Sequence, residues 1–89
     1  MSLRERVMAN SSLVPLKVPA FTILDAMQMT KDAAIQIDAL FLTATLVALG
    51  AGIDPHDLIV RAKRQIADAD ATKNPHLEAI REFGVGEMR

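Results

Sequence analysis

The hydrophobic pattern of the chain changes character at one place. From Ala39 to Ile53 the only polar side chains are Thr43 and Thr45, and every other residue is Leu, Phe, Val, Ala, Ile or Gly. Upstream, Asp25, Gln28, Asp32 and Gln36 recur at spacings of three and four, which makes one polar helical face. That face continues through Thr43 to Gly50, where it dwindles to a hydroxyl and a hydrogen. Leu40, Phe41, Leu42, Leu46, Val47 and Leu49 then point in nearly every direction around the helix. A helix that is apolar all round needs a large core or a membrane to cover it. A chain of 89 residues has no large core to offer. Other copies, another protein or lipid must therefore supply the cover, and these six residues are the expected self-association surface.

Around this stretch the pattern predicts an all-α protein. Ser2-Leu-Arg-Glu5 is a capping box opening a short helix to about Ala9, with Leu3, Val7 and Met8 on its apolar side. Pro15 and Pro19 push Val14 and Val18 toward extended geometry, so residues 10–20 are expected as an apolar extended arm. Thr22, with Asp25 three residues on, is expected to open one long helix to about Leu49, with a break possible at Met29–Thr30. Gly50-Ala-Gly52 ends it. Asp54-Pro-His-Asp57 starts a second long helix, running from Pro55 to about Ala71. Its apolar stripe is Ile59, Ala62, Ile66 and Ala69; Arg61, Lys63, Arg64, Gln65, Asp68 and Asp70 fill the other side. Asp57–Arg61 and Arg64–Asp68 stand at ion-pair spacing. Asn74-Pro75 and Gly84 bound a last helix ending near Phe83. The expected organisation is one small domain: an arm over 1–21, an antiparallel helical hairpin over 22–71, a short helix over 74–83, and assembly into an oligomer.

Composition narrows the function. There is no Cys, which removes disulfides and thiolate metal sites and fits a cytoplasmic location. A net charge of −1 creates no field for nucleic acid or an anionic membrane. Three Phe, with no Trp or Tyr, are poor material for stacking bases. The opening MSLRERVMANSS lacks the apolar run and cleavage site of a secretory signal. Residues 39–53 are short for a spanning helix, and extending them upstream brings in Asp38, Gln36, Asp32 and Lys31.

Candidate chemistry is sparse. The glycines before Asp54 match no phosphate-loop spacing, and Asp54 and Asp57 occupy the helix start that an anion would need. His56 and His76 sit beside prolines in separate elements and read as exposed, so no metal or other cofactor is expected. Arg61, Lys63 and Arg64, with Lys73 near, form a local basic patch that could meet a partner, diluted by Asp57, Asp68 and Asp70.

The segment DALFLTATLVALGAGIDPHDLIVRAKRQI resembles the third and fourth helices of MazG-type nucleotide pyrophosphohydrolases. In both, an apolar helix meets a Gly-Ile-Asp turn before a basic helix. The resemblance covers about a third of the chain. It implies a metal-binding role for Asp38, yet the family's glutamate three residues earlier is Ile35 here, and the upstream Glu-rich helix is absent. Catalysis is therefore not carried over. The expectation is a small non-enzymatic interaction module, an adaptor or inhibitor that self-associates. The alternative is a small-ligand- or nucleotide-binding oligomer with its pocket between subunits, and convergence of Asp32, Asp38 and Arg61 on one cavity would favour it. A membrane-associated subunit is a third class.

Overall fold

The computed structural model describes residues 2–10 and 12–87. It is all-helical: α1 (Leu3–Ala9), α2 (Val14–Met27), α3 (Ala33–Gly50), α4 (Pro55–Ala71) and α5 (Pro75–Glu87). No strand occurs among the described residues. In α1, the Ser2 hydroxyl accepts from the Glu5 backbone N–H at 3.1 Å and donates to the Glu5 carboxylate.

The extended arm expected over residues 10–20 is largely helix. Pro15 occupies the first turn of α2, where a missing N–H costs nothing and the fixed φ suits the helix. Ser12 caps that turn by accepting from the Val14 N–H at 3.2 Å. Pro19 lies inside α2 and removes one interior donor. Packing against α5 offsets that loss. The Phe21 and Phe83 rings stand 4.8 Å apart, and Gly84 leaves room for the Leu24 methyls. Thr22 is consequently no helix start; its hydroxyl donates to the Val18 carbonyl within α2.

The single helix expected from Thr22 to Leu49 is two. Asp32 caps α3 by accepting from the Ala34 N–H at 2.9 Å and the Ile35 N–H at 3.4 Å. The buried Gln36 side chain donates to the Thr30 carbonyl across the α2–α3 turn. Gln36 thus leaves the solvated polar face that its spacing suggests.

The turn between α3 and α4 is a Schellman motif. The Ile53 N–H reaches the Ala48 carbonyl at 2.9 Å and the Gly52 N–H reaches Leu49 at 3.1 Å, with Gly52 at φ +73°. Ala48 and Ile53, joined by that bond, are both buried. Asp54 then caps α4 by accepting from the His56 N–H at 2.9 Å. The α4–α5 junction repeats the device: the Asn74 N–H reaches Ala69 at 2.9 Å, and the Asn74 side chain caps the His76 N–H at 2.9 Å. Here the left-handed position is held by Lys73, at φ 54°. Helix α5 runs past Phe83 and through Gly84 to Glu87.

The assembled chain measures 39 × 32 × 19 Å, about two helix layers thick. Its described core is thin: Ala48, Ile53, Ala69 and Leu77, together with Gln36.

Candidate functional site

The α3 surface comes first. Phe41, Leu42, Leu46, Val47 and Leu49 are each between 56% and 65% exposed. Leu40, expected with them, is half-buried and turns toward α2. There it lines an apolar cleft of about 350 Å³ with Ile23, Met27, Ile35 and Gln36. The Gln36 amide oxygen is buried without a hydrogen-bond partner among the described residues. Sequence reasoning passed over this cleft because it requires α2 to be helical and α3 to be a separate element.

On α4 the inward face differs from the expected one. Ala69 is buried, and Leu58, Arg61 and Gln65 are half-buried. Ile59 and Ile66 remain 41% and 46% exposed. The helix is turned so that Arg61 reaches in and donates to the Asn10 carbonyl at the α1–α2 corner. A long arginine stem can cover apolar surface while its head finds an acceptor. Of the apolar stripe of α4, Ala69 is buried, while Ile59, Ala62 and Ile66 stay open.

The charges pair differently from their helical spacing. Asp57 meets Arg4 of α1 at 3.5 Å, in place of Arg61. Arg64 and Asp68 form no ion pair with each other among the described residues. Asp70 takes Arg81 of α5 at 3.1 Å, and Glu78 takes it at 2.8 Å. The hydrogen bond that Arg81 donates to Asp70, then the charges of Asp70 and Glu78, hold its guanidinium above its ordinary pKa. Its charge is therefore constant through the range in which proteins fold.

Arg61 and Arg64 come together on a second, polar cleft of about 330 Å³ between the α1–α2 corner and α4. Gln65 and Asp68 share its wall, whereas Lys63 does not. Asp32 and Asp38 reach neither cleft. His56 is exposed, but His76 is half-buried, its Nδ1 buried and without a partner among the described residues, which corrects the expectation of two surface histidines. Among the described residues no three His, Asp or Glu side chains gather as a metal site. No protein-family model, no curated protein and no solved structure matches the chain, so the likeness to nucleotide pyrophosphohydrolases rests on residues 38–66 alone.

Proposed function

We propose that this protein is a small non-enzymatic interaction module that acts by binding macromolecules, its first partner being a second copy of itself. One observation carries the reading: the apolar surface of α3 stands open. The total accessible surface is 6564 Å² for 9.7 kDa. A closed monomer of that mass exposes about 5,100 Å². The difference, about 1,400 Å² per chain, doubles to about 2,900 Å² in a dimer, inside the range of obligate homodimers. Each large apolar side chain left in water forgoes roughly 1.5–3 kcal/mol. A two-fold interface covers one such patch twice at a stroke.

In this reading α3 and α4 act as an antiparallel hairpin, and its open side, built from Phe41, Leu42, Leu46, Val47 and Leu49 with Ile59 and Ile66 beside them, is what the second copy covers. The protein works in the cytoplasm, consistent with a cysteine-free chain. Lys63 and Arg64, both exposed, remain available for a further, acidic partner, with Arg61 anchored beside them. The scattering of Asp32, Asp38 and Arg61 favours this module over a nucleotide hydrolase.

A lipid reading has one observation of its own. Helix α3, at 18 residues and mean hydropathy 1.7, is long and apolar enough by length and composition to cross a membrane. Against it stands Asp38 within the helix, since a mid-span charge costs about 2.5–3.5 kcal/mol on insertion scales. Sedimentation equilibrium without detergent tests both. A stable dimer or higher oligomer at micromolar concentration is expected. A well-folded monomer would overturn self-association, and solubility only in detergent would favour lipid.

A further inference from the structure

The polar cleft beside α4 is separate from the α3 surface and has its own chemistry. Its wall carries Arg61, Arg64 and Gln65, three donors at spacings of three and one that share one side of the helix. Asn10 and Met8, from the α1–α2 corner, stand across from them. The donors are incompletely used. Arg61 spends one N–H on the Asn10 carbonyl, which anchors its guanidinium at the cleft. Arg64 has no ion-pair partner among the described residues. The Gln65 amide nitrogen is buried and has no acceptor among the described residues. A buried donor left unpaired is costly, and because Gln65 lines the cleft, a turn of its side chain toward an acceptor there would relieve it. Asp68 at the lip offsets one of the two positive charges, which leaves a net charge of +1 on the cleft wall. About 330 Å³ lies within the size range of small-molecule sites.

We propose that this cleft binds a small oxyanion, a phosphate or a carboxylate, held by Arg64 and Gln65 with Arg61 as the anchored second cation. Guanidinium–oxyanion hydrogen bonds are the strong, geometrically selective kind. The site gives a role to Arg61, which reaches inward from α4, and to the exposed Arg64 at its rim. It goes beyond self-association and touches none of the α3 residues, so the two readings fail separately. A dimer with an empty cleft would refute only this one.

The test is a titration of the isotope-labelled full chain with sodium phosphate and with sodium acetate, against sodium chloride at matched ionic strength. The readout is the NMR signals of the Gln65 side-chain amide and the Arg61 and Arg64 Nε–H groups. Saturable shifts with phosphate or acetate, absent with chloride, are expected, and the tighter of the two anions identifies the phosphoryl or the carboxyl source. Arg64→Ala should weaken binding roughly tenfold or more, the loss of one charge-assisted hydrogen bond. Asp68→Asn should tighten phosphate, because it removes a like charge. Lys63→Ala, off the cleft, should change nothing. Shifts that merely follow ionic strength, or equal losses in Arg64→Ala and Lys63→Ala, would overturn the proposal.

Discussion

At the scale of single residues, the chain is held by its turns. Asp54 accepts the His56 N–H where α4 begins and satisfies a donor that the helix itself leaves unpaired. Asp54→Ala should lower stability by about 0.5–2 kcal/mol, read as a lower thermal midpoint by circular dichroism. An unchanged midpoint would mean that the cap contributes nothing. The two Schellman turns give a second, opposite-signed test. Gly52 and Lys73 hold equivalent left-handed positions, at φ +73° and 54°, but only one of them is glycine. A Cβ at Gly52 would touch nothing within 4 Å, so Gly52→Ala measures backbone strain alone. It should destabilise by roughly 1 kcal/mol, while Lys73→Gly should stabilise by about 0.5–1 kcal/mol. If both substitutions lower the melting temperature, the left-handed geometry at residue 73 is wrong.

At the scale of elements, α2 is the conditional one. Pro19, inside it, opposes helix, and contacts with α5, among them Phe21–Phe83 and Leu24–Gly84, hold it in place. Two substitutions should therefore act in opposite directions. Pro19→Ala returns an interior donor and should raise both helical ellipticity and stability, by up to about 3 kcal/mol. Phe83→Leu removes the ring pair and should cost about 0.5–1.5 kcal/mol beyond the area it loses. An extended segment over residues 14–20 would instead show no gain of ellipticity in Pro19→Ala. The Lys17 ammonium, 5.9 Å from the Phe21 ring centroid, adds a weak exposed contact to the same cluster.

At the scale of the whole molecule, surface is in excess. The radius of gyration is 13.7 Å, against about 12 Å for a closed domain of this length. Phe41→Asp or Leu46→Asp should dissociate or unfold the protein, because a charge on α3 cannot be buried against another copy. Lys63→Asp should do neither. Sedimentation of the three variants separates these outcomes, and equal behaviour would remove α3 from the interface. Charge makes a second whole-molecule prediction. With a net charge of −1, the protein should not hold random duplex DNA at physiological salt. Salt-sensitive micromolar binding in a gel shift would assign Arg61, Lys63 and Arg64 to phosphates instead.

What the sequence alone determined is what its neighbours in the chain can satisfy. The Ser2 cap, the Gly52 stop, the Asp54 and Asn74 starts and the helical class all depend on hydrogen bonds spanning no more than five residues. The apolar wrap of α3 was equally legible, because side-chain direction follows from the helical repeat alone. Tertiary structure decided the rest. VPLKVPA has no internal reason to choose helix over extended arm, and α5, some 60 residues away, makes the choice. Gln36 was marked as solvated by its spacing, yet its amide closes the α2–α3 turn on the Thr30 carbonyl. On α4, Ala69 of the apolar pattern is buried, but Arg61 also reaches in to the distant Asn10 carbonyl while Ile59 and Ile66 stay exposed. In each case a contact outside the helical repeat, from the α2–α3 turn to α5 some 60 residues away, decided where the side chain went.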